Sequence, residues 1–593
     1  MEFDILLILV IIFGAIVLFA TEVISIDLTA MLVMVVLMIT GLVSPEEGIA
    51  GFSNTATVTI LALFILSAGL QSTGAVNLLG RYMIKVIGKS ANRALIIILL
   101  VVGLLSAFIN NTAVVVIFMP IIFRVAKFTS SSASRFLMPL SFAAMIGGAC
   151  TVIGTSTNIL VSDIYANTEG GSPFGIFEFS LIGFVIMLAF FLYMVLVGRH
   201  LINDRQKQDE LTEQYKLKDY LTEVVITKGS PLAGLHLRET FLKKEIDAEI
   251  LELRHKGRGG LWLPAKSELL REEDHILLKV NIDDILTIQN KAGIAITSRA
   301  EFGDDDLESA ETTLLEVVVA PNSKVVRKKV HEVDFKTLYG AVPLAIRRRG
   351  TYLKERIGGV VLRFGDDVLL EARKENLGSF QRTFDFITLQ EIDKPHYERQ
   401  RLMLSVLITL GVVVTASLNL SPILVTSLAG CVLMFLTGCI TIREAYRNVE
   451  WKIIFLLAGL IPLGTAINNT GAATLISENL YAFVGDFGPT AVIAILFAIT
   501  SMLTSIMSNN ATAILLAPIA IGTSLQMGID PKAFLVTIMF AANTSFITPV
   551  GYQTNTLVYG PGNYRFGDFL KVGGFLTLII WVIVTLMVSW LYL

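Results

Sequence analysis

Over residues 1–199 and again over 402–593, apolar residues run for roughly 16–22 positions at a time, the length a helix needs to cross a hydrocarbon core. Between them, residues 200–401 switch between apolar and charged positions every few residues and hold 33 of the 47 Lys and Arg. The runs predict spans over 3–20, 24–40, 54–72, 136–165 with an interruption, and 176–197. In the second half they predict 403–419, 423–440, 450–467, 533–560 with an interruption, and 572–592. Two further apolar pairs are short for full spans: 94–108 and 113–126 meet at Asn110-Asn111-Thr112, and 487–507 and 511–524 meet at Ser508-Asn509-Asn510. Short helical arms joined by polar residues predict re-entrant hairpins near 94–126 and 487–524, whose free backbone ends are tolerated only in a protein-lined cavity.

Five crossings per half is an odd number, so the second half enters from the side opposite the first. The charges agree with a cytoplasmic middle region and outside termini. Arg81, Lys85, Lys89 and Arg93, then Arg124, Lys127, Arg135 and Arg199, then Arg399, Arg401, Arg443, Arg447, Arg565 and Lys571 all fall inside. The stretches 41–51, 162–175 and 468–486 hold acidic residues without Lys or Arg, and Lys532 is the local exception. The halves also match in residues. NNTAVVVIFMP at 110–120 pairs with SNNATAILLAP at 508–518, and TVIGTSTNILV at 151–161 with TPVGYQTNTLV at 548–558, at offsets of 398 and 397. Duplicated broken elements facing one another near the midplane are the signature of a secondary transporter's binding site. The fold class expected is therefore membrane all-α, an inverted repeat with re-entrant hairpins over 1–199 and 402–593, plus two small cytoplasmic α/β domains.

Composition narrows this further. With 54% hydrophobic and 16% charged residues, the 593-residue chain is expected in the cell inner (plasma) membrane, and its net charge of −3 does not point to nucleic acid. The run 5–20 lacks a basic leader and reads as a spanning helix. Cys150, Cys431 and Cys439 sit in apolar context and read as buried thiols. No HExxH, P-loop or phosphorylated-Asp cassette is present, which argues against an enzyme.

A hairpin tip exposes free N–H groups at one helix start, suited to an anion, and free carbonyls at the preceding helix end, suited to a cation. Asn and Thr side chains extend both sets. Helix capping or a hydrogen bond across the bundle is the plainer reading of each such residue. Its weight falls because the tips recur with Pro120 and Pro518 at the same interval. Gly147, Gly148, Gly154 and Gly551 either permit close packing or leave backbone open to a ligand. Ser53-Asn54-Thr55 reads as an N-cap. Asn468-Asn469-Thr470-Gly471 and Gln71-Ser72-Thr73-Gly74 occupy matching helix ends.

At these tips, and at Thr155-Ser156-Thr157-Asn158 and Gln553-Thr554-Asn555, the chain resembles the divalent anion:sodium symporter family, whose members import sulfate or di- and tricarboxylates. The resemblance implies substrate contacts from Asn111, Thr112, Thr157, Asn158, Ser508, Asn509, Thr554 and Asn555. It implies two or more sodium sites from Asn110, Asn111, Gly154, Thr155, Asn509, Asn510 and Gly551. It further implies a homodimer and an elevator motion of a transport domain against a scaffold built mainly from 1–80 and 403–470. The chain departs in placing Asn110 where the first tip usually has Ser, and Asn510 where the second usually has Thr. Sulfate is the expected substrate, a dicarboxylate such as succinate or malate the alternative, and an ion channel a further one.

The middle region carries its own repeat. EVVITKGSPLAG from 223 matches EVVVAPNSKVVR from 316, and EILELRHKGRG from 249 matches VPLAIRRRGTY from 342, both offset by 93. Alternating strands around one helix predict two small α/β domains. Over 207–290 and 305–388 they resemble TrkA-C domains, for which a structural or dimerising role and the sensing of a small ligand stand as equal readings. Arg347, Arg348 and Arg349 read as a solvated strand end, with an anion grip as the alternative. The six histidines, His200, His236, His255, His275, His331 and His396, are scattered and show no metal site.

Overall fold

The computed structural model describes residues 2–593 except 22, 77, 79–82, 84, 85, 89, 130, 169, 203–220, 245–248, 256–259, 263–267, 280–293, 297–311, 322, 349–350, 354–356, 374–384, 390–398, 419, 485 and 486. Arg81, Lys85, Lys89, Arg349 and His396 lie outside the described residues. The chain forms two compact units, one of residues 1–205, 320–324 and 384–593, the other of 206–319 and 325–383.

The first unit is helical. Among the described residues, six helices are long and apolar enough to cross a membrane: Pro45–Ser72, Asn111–Phe128, Ser180–Leu201, Arg399–Ser417, Trp451–Asn469 and Phe566–Tyr592. The two interrupted runs each resolve into a pair of helices, Ser134–Ala149 then Ser156–Ala166, and Pro531–Ala542 then Gln553–Tyr559. The polar tips join Ala91–Ser106 to Asn111–Phe128 and Pro489–Thr504 to Asn509–Gln526. Pro120 and Pro518 lie inside the second arms.

Local chemistry sets the helix ends. Asn54 caps Thr55–Ser72, its Oδ1 accepting from the Ala56 and Thr57 N–H groups at 2.8 and 3.4 Å. Thr55–Ser72 and Trp451–Asn469 stop alike. Thr73 and Thr470 close the last turn, and Gly74 and Gly471 follow at φ +77°, a conformation that glycine adopts without Cβ strain.

Burial separates two kinds of helix. Ser134–Ala149 and Pro531–Ala542 are buried almost all round, as expected of helices at the centre of a bundle. Arg399–Ser417 instead exposes Met403, Leu407, Leu410 and Val414, which suits lipid surroundings.

Three sequence expectations are corrected. Residues 468–486 read as an exterior loop, yet Ala472–Val484 is a helix. Its small residues Ala472, Ala473 and Ser477 are buried, and Ser477 lies against Gly522 of the second tip's long arm. Too few large apolar residues mark that stripe for a hydropathy reading to find it. Lys532 is answered by Glu178, whose carboxylate lies 2.5 Å from its ammonium. Cys431 and Cys439 are buried thiols, but Cys150 is only half-buried where the Ser134–Ala149 helix ends. The arginine run is not a solvated strand end. Arg347 is fully buried and pairs with Asp367 at 2.9 Å and Glu316 at 3.1 Å, and Arg348 pairs with Asp366 at 2.7 Å.

The second unit holds two antiparallel sheets that share one strand order over four strands. The first runs 260–262, 249–254, 275–279, 221–226, 294–296, and the second 351–352, 341–348, 367–373, 312–319. Each has a register shift at the equivalent place, Ile250/Glu252 and Pro343/Ala345, and each carries a short helix, Phe241–Lys244 or Phe335–Tyr339. A buried His255–Asp274 contact of 2.8 Å stands in the first where Arg348–Asp366 stands in the second.

Candidate functional site

The first tip begins with Asn110, whose Oδ1 accepts from the N–H groups of Thr112 and Ala113 at 2.9 and 3.3 Å. Ser508 does the same work at the second tip, with Oγ accepting from Ala511 N–H at 3.3 Å. A hydroxyl five residues upstream then holds each tip asparagine: Ser106 donates to Asn111 Oδ1 at 2.7 Å, and Thr504 lies 2.8 Å from Asn509 Oδ1. Ser545 adds a second hydroxyl at 3.0 Å to Asn509 Oδ1.

The breaks are held open by matching bonds. Asn158 Nδ2 donates to the carbonyls of Thr151 and Ala149 at 2.9 and 3.4 Å, and Asn555 Nδ2 to those of Ser545 and Thr548 at 2.6 and 3.1 Å. These amides satisfy carbonyls that the interrupted helices leave free. Thr151 Oγ1 accepts from Gly154 N–H at 3.1 Å, and Thr548 Oγ1 from Gly551 N–H at 3.0 Å. The glycines permit close approach: a Cβ at Gly148 would lie 2.3 Å from Asn111 Oδ1, and one at Gly147 would lie 2.2 Å from the Gly103 carbonyl oxygen.

Each tip meets the break of the other half. Asn111 Nδ2 donates to the Tyr552 hydroxyl at 3.1 Å, and Thr112 donates to Gln553 Oε1 at 3.1 Å. In return, Asn510 Oδ1 accepts from Thr157 at 2.8 Å and Ser156 at 3.1 Å. The breaks also meet, through Asn543 Nδ2 to Asn158 Oδ1 at 3.1 Å, and Ser141 lies 2.7 Å from Asn555 Oδ1 and 2.8 Å from Thr554 Oγ1. Thr155 lies 3.5 Å from Asn543 Oδ1. All the sequence-selected residues therefore belong to one neutral cluster, in which Asn111, Thr112, Thr155, Thr157, Asn158, Asn509, Asn510, Thr554 and Asn555 are buried.

Sequence reasoning passed over Ser106, Thr504, Ser141, Asn543, Ser545 and Tyr552. Ser106 and Thr504 were findable, because each precedes its tip asparagine by five residues at the offset relating the halves. The others come to the cluster by tertiary contact. One donor stands apart: Asn509 is buried, and its Nδ2 has no hydrogen-bond partner among the described residues. An unpaired buried donor costs about 1–3 kcal/mol, so an acceptor is expected there.

Residues 16–538 match the family model described as CitMHS, citrate transporter. The chain is 39% identical to an uncharacterised transporter of Synechocystis sp., over all of this chain and 98% of the relative. It is 30% identical to the uncharacterised transporter YfbS of Escherichia coli, over 98% of this chain and 97% of that one. Sodium/sulfate cotransporter 1 of Chlamydomonas reinhardtii is 23% identical over 90% of this chain and 83% of its own length. With two matching tips and two broken helices gathered into one buried polar cluster, and a family match over most of its length, the chain belongs to the CitMHS family of membrane transporters.

Proposed function

We propose that this protein imports a divalent oxyanion, sulfate, in symport with sodium. The observation carrying the reading is the unpaired Asn509 Nδ2 beside the N-terminus of the Asn509–Gln526 helix, a buried donor aligned with a helix end that favours negative charge. The cluster built by the tips and breaks is made of neutral amides and hydroxyls, so a divalent anion there needs cationic company. Sodium supplies it, held by neutral oxygens of the tips and breaks. The name of the Chlamydomonas relative, a sodium/sulfate cotransporter, supports the same pairing. Tyr552 supports a compact anion over a tricarboxylate. At the position matching Thr155 it sends an aromatic ring across to Asn111 and takes up room a larger substrate would use.

The site roles follow the sequence reading. Asn111, Thr112, Thr157, Asn158, Ser508, Asn509, Thr554 and Asn555 face the anion, while Asn110, Asn111, Gly154, Thr155, Asn509, Asn510 and Gly551 serve the sodium ions. The halves form an inverted repeat with re-entrant tips, and the protein works as a homodimer with a cytoplasmic middle region of two TrkA-C-like domains. Transport is of the elevator type. The contact of one scaffold helix with a broken helix supports this. Asn54 and Thr55, at the start of Thr55–Ser72, hold Asp163, five residues beyond Asn158.

The test is radiolabelled sulfate uptake into proteoliposomes with an inward sodium gradient, with potassium replacing sodium, and with succinate, malate, citrate and thiosulfate in excess. Sodium-dependent accumulation that resists the carboxylates is the expected result. Succinate accumulation without sulfate accumulation moves the substrate to dicarboxylates, a reading favoured by a 28% identity to a sodium-dependent dicarboxylate transporter of Staphylococcus saprophyticus over 148 residues.

A further inference from the structure

Thr512 stands in the first turn of the Asn509–Gln526 helix and is fully buried. Its N–H donates to the Ser508 carbonyl at 3.0 Å, as the helix requires, but its hydroxyl has no hydrogen-bond partner among the described residues. Other buried threonines of these helices donate to the carbonyl four residues back. Thr523 of the same helix does so to Ile519 at 2.8 Å, and Thr500 and Thr537 to Leu496 and Ala533 at 2.6 and 2.9 Å. Thr512 leaves that bond unmade.

At the offset of 398 that relates the tips, the matching residue of the first half is Val114, also fully buried. Valine and threonine share a β-branched shape, so packing at this point of the arm is met without a hydroxyl. A buried hydroxyl left unpaired lowers stability, so it calls for a reason other than packing. Its neighbour supplies one. Asn509 lies three residues earlier on the same helix face, a spacing that puts Cβ atoms about 5–6 Å apart. Asn509 Oδ1 faces the hydroxyls of Thr504 and Ser545 at 2.8 and 3.0 Å, which leaves Nδ2 as the open edge of that amide, and Nδ2 is unpaired as well. One acceptor atom between the two groups satisfies both. A cation there does not, because the amide N–H groups repel it.

We propose that the Thr512 hydroxyl is a further binding group for the transported oxyanion, donating together with Asn509 Nδ2 to one anion oxygen. The first arm has no equivalent, since Val114 lacks the hydroxyl and Asn111 Nδ2 is spent on Tyr552 at 3.1 Å. The proposal rests on the anion site argued above and extends it along the second arm, beyond the tip itself.

Sulfate binding to the purified full-length protein is measured by calorimetry in saturating sodium, with thermal unfolding in the absence of sulfate, for wild type, T512V, T512S and N509A. T512V copies the first half. It is expected to weaken sulfate binding roughly tenfold while raising the sulfate-free unfolding temperature by about 1–2 °C, because the unpaired hydroxyl is gone. T512S keeps the hydroxyl and should bind sulfate near the wild-type affinity. Wild-type affinity in T512V, with binding abolished in N509A, overturns the role of Thr512 and leaves the anion site standing. A lower sulfate-free unfolding temperature in T512V shows a hydroxyl bonded within the protein, and binding as weak in T512S as in T512V shows a packing effect; either overturns the proposal. Wild-type affinity in N509A overturns the site and the proposal together.

Discussion

The two tips are built from the same parts and finished differently. Each has a cap, an asparagine held by a hydroxyl five residues upstream, and a contact to the opposite break. At the first tip, both Asn111 and Thr112 spend their donors on the second break, on Tyr552 and Gln553. At the second, Asn509 Nδ2 and the Thr512 hydroxyl are buried without partners among the described residues. Where one half closes its polar groups on the protein, the other keeps them open. Pseudosymmetric segments can thus differ in which polar groups they close on the protein.

Converting the open tip's donor to an acceptor breaks the comparison most. Asn509→Asp keeps an oxygen for Thr504 and Ser545 but faces the anion with a carboxylate. Sodium-driven sulfate uptake is expected to fall roughly 100-fold or more, with the protein still folded by size-exclusion chromatography. Opening the closed tip comes next. Tyr552→Phe strips Asn111 Nδ2 of its acceptor, and thermal unfolding should show a loss of about 1–3 kcal/mol, with uptake reduced about tenfold. The upstream hydroxyls sharpen the contrast. Asn111 Oδ1 has Ser106, whereas Asn509 Oδ1 has both Thr504 and Ser545, so Ser106→Ala, which leaves Asn111 Oδ1 without its hydroxyl, should cost about 1 kcal/mol in the same assay.

The smallest effect on transport belongs to a control in the middle region. Burial beside Glu316 pushes the Asp367 carboxyl up to about 7 despite the pull of Arg347. The unfolded carboxyl titrates near about 3.9, so between roughly pH 4 and 7 the folded state binds more protons and its stability falls as pH rises. Asp367→Asn should flatten that slope in scanning calorimetry of the full chain and leave sulfate uptake unchanged.

Much of the helical unit was legible in order. Apolar runs marked the spans, Asn54, Asn110 and Ser508 marked helix starts, and glycine after threonine marked two helix ends, because caps and hydropathy are local. Ala472–Val484 was not legible, since its buried stripe is made of small residues. The arginine run was misread because burial of Arg347 depends on Glu316 and Asp367 from other strands.

The sequence by itself determined that the chain is a membrane protein of two matching halves, and which asparagines, threonines and glycines interrupt its helices. Only the tertiary structure decided that each tip meets the opposite break and that Tyr552 closes one tip. It also decided that Asn509 Nδ2 is buried without a partner among the described residues. The physical reason is range. Hydropathy and capping act within a turn or two of the chain, whereas these contacts join residues hundreds of positions apart and exist only once the helices have packed.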